Sequence, residues 1–157
     1  MNEKRGTKLI AKNSRASFDY FLSQFLEVGL ELTGTEIKSL RNHGASLVDS
    51  RVIMRNNEMY VLNMNIPIYD KGNIFNHDPK RTRKLLMHRQ EINKYIRAMQ
   101  EKGFTIVPTK IYFSKGRAKL EIALAKGKKL FDKRETIKRR EDEIKIAKAI
   151  KGQKDVD

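Results

Sequence analysis

The chain has 157 residues, 39% of them apolar and 34% charged, with 34 Lys and Arg against 19 Asp and Glu for a net charge of +15. That length bounds one domain with an appendage, and that charge surplus, which destabilises a compact chain by self-repulsion, marks an anionic partner: nucleic acid first, an anionic membrane surface second. No segment approaches the ~20 apolar residues of a membrane span, and a chain without Cys has neither disulfides nor thiolate metal sites, which is read here as a reducing, cytoplasmic setting.

The first stretch, MNEKRGTKLIAKN, is polar and basic and lacks a signal-peptide apolar core; a short strand is expected over Lys8–Lys12. In FDYFLSQFLEVGLEL, residues 18–32, Leu26, Val28, Leu30 and Leu32 alternate with Glu27, Gly29 and Glu31, the period of a half-buried strand. Phe18, Tyr20 and Leu22 alternate too, and the phase slips near Gln24-Phe25, as a β-bulge would make it. A helix over 16–26 is the competing reading. Thr33 and Glu36 form a capping box for a short helix through IKSLR, and Gly44 suits its left-handed end.

Ser50–Met54 and Met59–Asn65 read as two strands joined at Asn56-Asn57, residues that tolerate positive φ. After a Gly- and Asn-rich loop comes HDPKRTRKLL, residues 77–86, with Lys80, Arg81, Arg83 and Lys84 in five positions. By composition this is a solvated basic loop or a seat for phosphates. His88–Lys102 is a helix, with Ile92, Tyr95, Ile96 and Met99 on one stripe and Gly103 just beyond it. Phe104–Phe113 is a strand with an edge or a bulge at Pro108. A turn at 114–117 leads into Ala118–Leu124, where Leu120, Ile122 and Leu124 face in and Lys119 and Glu121 face out.

Five or six strands with two helices predict a mainly β fold, an OB-like antiparallel barrel over residues 1–125 with flanking helices; a flat α+β sandwich is the alternative. Residues 126–157 form a basic tail with 12 Lys and Arg against 7 Asp and Glu. Its apolar stripe is too thin to fold alone in water, so it is expected to be disordered when free and helical on a partner. A helix packed on the barrel is the other possibility.

His43, His77 and His88 fit no metal pattern such as HExxH, and the glycines form no phosphate loop, so neither enzyme activity nor a cofactor is expected. Basic residues gather at 80–84, 115–119 and 126–140, and Tyr69, Phe75 and Phe131 are placed to stack on bases. Tyr95 and Phe104 belong to the core.

LTGTEIKSLR from Leu32, NHDPKRTRKLL from Asn76 and AKGKKLFDKRETIKRRE from Ala125, in that order, resemble the small protein B family, the tmRNA-binding proteins of bacterial trans-translation. The resemblance runs from about Lys8 to Lys151. It implies an OB-like barrel that binds the tRNA-like domain of tmRNA and helps elongation factor Tu deliver aminoacylated tmRNA to stalled ribosomes. It also implies a tail that becomes a helix in the vacant mRNA channel, against small-subunit rRNA near the decoding centre, and no catalytic role. Carried onto this chain, the RNA-facing residues are Asn13, Glu27, Leu86 and Lys119, with Arg83 and Lys84 on phosphates. Glu27 would accept from a base edge or a 2′-hydroxyl, or hold a basic neighbour. Leu86 would touch a base or serve packing alone. In the tail, Lys126, Lys128, Lys129, Phe131, Asp132, Lys133, Arg134, Lys138, Arg139, Ala149 and Ile150 would meet the ribosome. Phe131 stands where some family members carry His, and it can stack but not titrate.

Overall fold

A computed structural model describes residues 7–69 and 76–128. Within them the elements run β1 (Thr7–Lys12), α1 (Ala16–Asp19), β2 (Tyr20–Leu30), α2 (Gly34–Asn42), β3 (Arg51–Arg55), β4 (Glu58–Leu62), β5 (Arg83–Leu86), α3 (Arg89–Lys102), β6 (Thr105–Ser114) and β7 (Arg117–Gly127). All pairings are antiparallel. Six strands close a ring in the order β6-β3-β4-β5-β2-β7, with β7 returning to β6. One edge of β6 is shared: Ile106 pairs with Val52 of β3, and 110–114 pair with β1. Ring closure pairs the edges of those six strands, and β1 lies outside the ring, paired to β6 alone among the described residues.

The local signals explain most of the elements. Gln24 has φ 51° and the β2–β7 register shifts between Ser23 and Leu26, so the phase slip in the sequence is a bulge. β2 therefore begins at Tyr20, and only the one-turn α1 takes up the helical alternative. Asn56 and Asn57 both have positive φ and close the β3–β4 hairpin. Pro108 lies at a β6–β7 register shift, a bulge inside the sheet rather than an edge. Gly103 ends α3 at φ 69°. The Thr33 hydroxyl accepts from the Glu36 N–H while the Glu36 carboxylate accepts from the Thr33 N–H, completing the capping box.

The barrel interior is packed by Val28, Val61, Leu85, Ile106, Ile111, Leu120 and Ile122, with Leu40 of α2 and Ile92 and Tyr95 of α3 buried against it. α3 docks on the bulge itself, where the Tyr95 hydroxyl donates to the Gln24 carbonyl. Burial, and then the charge of Glu91, pushes the Tyr95 phenol up to about 12.

Two sequence expectations change. β5 is a strand where a loop end was expected, and its alternation is inverted: Arg83 and Leu85 are fully buried, while Lys84 and Leu86 point out. β7 also continues to Gly127, so Lys126, placed in the tail by composition, lies in the last barrel strand opposite Phe21. Its ammonium donates to the Lys102 carbonyl at the end of α3, where a cation meets the negative end of the helix dipole. Lys128 donates to the Ser17 carbonyl and sits 5.0 Å over the Phe21 ring.

Candidate nucleic-acid interface

Strand register places three of the expected residues, Glu27, Leu86 and Lys119, on the outer face of the sheet. Leu86 of β5 is opposite Gly29 of β2; Gly29 is opposite Lys119 of β7; Lys119 is opposite Tyr112 of β6; and Tyr112 is opposite Leu9 of β1. One pleat away, Glu27 is opposite Glu121 and Glu121 opposite Lys110. Glu27, Leu86 and Lys119 thus share one surface although 92 positions of sequence separate the first from the last.

Gly29 makes the relief of this surface. A Cβ there would lie 3.2 Å from the Leu86 Cβ, tighter than an ordinary contact, so glycine keeps the space beside Leu86 open. The result is an open depression of about 210 Å³ walled by Leu86, Arg117 and Lys119. Leu86 is 52% exposed, an outward apolar side chain between charged neighbours. Neither Arg117 nor Lys119 has an acidic partner among the described residues. An apolar wall flanked by unneutralised cations suits a base with its phosphate.

Among the described residues Glu27 holds no basic neighbour. Its Oε2 accepts from the Tyr112 hydroxyl, which crosses over β7 to reach it. Burial, followed by the hydrogen bond to Glu27 and the charges of Glu27 and Glu121, raises the Tyr112 phenol well above its ordinary range, so it is a proton donor at neutral pH. Glu121 is held inside the sheet, accepting from the Thr109 hydroxyl at 2.7 Å and facing the Lys110 ammonium at 3.7 Å.

The basic run 80–84 turns out differently. Arg83 is fully buried. Its Nε donates to Glu36, its Nη1 to the Met64 and Arg81 carbonyls, and its Nη2 to those of Asp78 and Pro79. A guanidinium with every nitrogen engaged inside the protein has no donor for a phosphate, so the phosphate contact expected of Arg83 is corrected to a structural one. Arg81 completes the cluster by a two-nitrogen grip on the same carboxylate. Burial would raise the Glu36 carboxyl, but hydrogen bonds from Arg81, the Thr33 N–H and Arg83 outweigh it and hold the group below its ordinary value. Burial likewise pushes the Arg83 guanidinium down, against the restoring effect of Glu36; starting from so high a value, it stays charged. Lys84 is half-exposed and faces Glu58 at 3.7 Å.

Asn13 is not brought into the Leu86–Lys119 surface. Its main-chain N–H donates to the Thr109 carbonyl and its amide to the Pro108 carbonyl, fastening the end of β1 to the β6 bulge. His77 is buried between the Thr35 hydroxyl and the Ile66 carbonyl, a structural residue. Tyr69 lies 5.9 Å from the Lys38 ammonium. Phe75, Lys129, Phe131, Asp132, Lys133, Arg134, Lys138, Arg139, Ala149 and Ile150 lie outside the described residues. Sequence reasoning placed Arg117 in the basic cluster 115–119 without singling it out, and passed over Tyr112. For Tyr112 the available signal was its place on the same alternating face of β6 as Lys110.

A closed barrel with a filled interior, an outer sheet face carrying free cations around an apolar depression, and a basic extension from its last strand define a small nucleic-acid-binding β-barrel protein. The family model described as SmpB protein matches residues 10–152, and the chain belongs to that family. It is 49% identical over 150 residues to the SsrA-binding protein of Caldicellulosiruptor saccharolyticus, covering 96% of this chain and 95% of that one. It is 51% identical over 149 residues to the SsrA-binding protein of Caldanaerobacter subterraneus subsp. tengcongensis, covering 95% and 94%. Its fold is similar to a chain of a solved structure described as "tmRNA-SmpB: a journey to the center of the bacterial ribosome", with TM-score 0.63, 41% identity, and coverage of 76% of this chain and 85% of that one.

Proposed function

We propose that this protein is the RNA-binding adaptor of trans-translation. It binds the tRNA-like domain of tmRNA and delivers it to ribosomes stalled without mRNA in the A site, so that the nascent peptide is tagged and the ribosome released. The observation that carries this reading is the identity of about half the residues with SsrA-binding proteins over nearly the whole length of both chains. The free cations and apolar depression on the outer sheet face support it physically. Lys119, Leu86 and Glu27 meet the RNA, Lys84 contributes charge at the rim, and Asn13 holds β1 in place beside them. The segment from Lys126 onward engages the decoding centre, the mRNA channel and small-subunit rRNA. Aminoacylated tmRNA arrives with elongation factor Tu, the setting is the cytoplasm, and the protein itself catalyses no reaction.

The test is which RNA the protein retains. Affinity capture from cells should enrich tmRNA over tRNA, and truncation before Asp132 should leave tmRNA affinity nearly intact while abolishing peptide tagging. Equal retention of tRNA and tmRNA points instead to a general RNA-binding barrel and refutes the proposal.

A further inference from the structure

Glu27 presents a physical problem on an RNA-binding face. A carboxylate repels phosphate, and this one stands directly opposite a second carboxylate, Glu121, an arrangement that costs sheet stability. Glu121 has local partners in Thr109 and Lys110. Glu27 has one protein partner among the described residues, the Tyr112 hydroxyl. Tyr112 is itself 7% exposed, and it reaches Glu27 from two strands away, its ring crossing β7 between Lys119 and Glu121. The phenol donates to Oε2; Oε1 has no hydrogen-bond partner among the described residues, and Glu27 as a whole is exposed. An unrestrained Glu has several rotamers and two equivalent oxygens. This one is tethered through Oε2 to the hydroxyl of a buried ring, which narrows the positions its carboxylate takes.

We infer that Tyr112 is a positioning residue that turns Glu27 into a single, oriented hydrogen-bond acceptor for an RNA donor, beside the Gly29–Leu86 depression. The donor is either the N–H edge of an unpaired base or a ribose 2′-hydroxyl, since phosphate offers none. Lys119, on the cross-strand neighbour of Gly29, neutralises the adjoining phosphate. Affinity from charge and discrimination by a donor are thereby assigned to different side chains. This inference rests on the tmRNA-binding reading given above.

The experiment measures dissociation constants for the isolated tRNA-like domain of tmRNA with the full chain, Tyr112→Phe, Glu27→Ala, the double variant and Glu27→Asp, with Lys119→Ala as the charge control. Tyr112→Phe keeps the ring and removes only the donor. It should weaken binding about tenfold, the effect of losing one hydrogen bond to a charged group. The double variant should bind no more weakly than Glu27→Ala alone, because Tyr112 acts only through Glu27. Glu27→Asp, whose shorter side chain withdraws the carboxylate from the phenol while keeping its charge, should match Tyr112→Phe. None of these changes should alter the log–log salt slope, whereas Lys119→Ala should reduce its steepness by about 0.9. In the full chain, 2′-deoxy substitution and inosine replacement of unpaired guanosines distinguish the ribose donor from the exocyclic base donor; the responsible substitution should have no effect on Glu27→Ala.

Wild-type affinity in folded Tyr112→Phe, or in Glu27→Asp, overturns the inference. So do losses from Tyr112→Phe and Glu27→Ala that multiply in the double variant. If Lys119→Ala also leaves affinity and salt slope unchanged, the RNA-binding reading of this face fails with it, and the two failures are told apart by that control.

Discussion

Removing the Glu36 carboxylate should be among the most damaging single changes available in this barrel. In Glu36→Ala the Arg83 guanidinium stays fully buried, still bound to main-chain carbonyls but without a counter-charge. Breaking one side of a buried ion pair in this way costs about 3–5 kcal/mol. Against the ~5–15 kcal/mol that separates a folded domain from its unfolded chain, that is a large fraction. Arg83→Met should cost less, about 2–3 kcal/mol, because Glu36 keeps Arg81 and the Thr33 N–H when it loses its bond from Arg83, and no unpaired charge is left buried; the other losses are the bonds to main-chain carbonyls, the shortest to Met64 at 2.7 Å and Pro79 at 3.0 Å. Urea denaturation at neutral pH reads both values from the midpoint shift at constant slope. The acid limb gives a second reading. The folded Glu36 value lies below its ordinary 4.5, so its contribution is present above 4.5 and is lost as pH falls through the folded value. Wild type should lose stability in that window more steeply than Glu36→Ala. A Glu36→Ala protein within 1 kcal/mol of wild type would refute the argument, since the guanidinium would then have found water.

Three further outcomes follow from the geometry. Arg117→Ala and Lys119→Ala should each lower tmRNA affinity and flatten its log–log salt dependence by about 0.9, while Arg83→Met should cost stability and leave the slope of the folded fraction unchanged; a filter-binding salt series separates them. Gly29→Ala should place its new methyl 3.2 Å from the Leu86 Cβ, so that Leu86 must give by a few tenths of an ångström, and should weaken RNA binding by filling the depression; wild-type affinity by calorimetry counts against a role for that space. At high pH, ultraviolet absorbance should show Tyr95 ionising only near 12 and Tyr112 later than a free phenol, and because both folded values are raised, their stabilising contribution is complete below about 10 and lost as pH rises through the folded values; ordinary phenol titration without unfolding contradicts the burial argument.

Local chemistry made much of the fold legible and left the wiring of the site obscure. The bulge at Gln24, the Asn56-Asn57 hairpin, the Thr33–Glu36 cap and the Gly103 stop each arise from neighbouring residues, so each left a readable mark. β5 left none, because its pattern puts Arg83 in and Leu86 out, the reverse of the usual rule. The reason lies outside the segment: the counter-ion for Arg83 is 47 residues away. The Tyr112–Glu27 bond spans 85 positions and is equally invisible to a window of sequence. Density of charge was a poor guide to accessible charge. In the run 80–84, Arg81 and Arg83 close on Glu36 and Lys84 faces Glu58, while the sparser pair Arg117 and Lys119 has no acidic partner among the described residues.

β7 connects these observations mechanically. Lys119 lies near its start, on the proposed RNA face. Lys126 lies near its end, bound to the last turn of α3, and Lys128 just beyond, fixed to Ser17. At ~3.3 Å per residue, a strand from Lys119 to Gly127 spans roughly 26 Å. This strand is paired on both sides, by β2 and β6, along most of its length, so the distance is set by hydrogen-bonded sheet rather than by a linker. A flexible connection would lower the effective concentration of one site for the other's partner. A paired strand instead delivers the two ends at one separation. The function proposed here requires that geometry: RNA held at one end of β7 fixes where the basic extension begins, and the extension can then probe a channel at a defined distance from the RNA that brought it there.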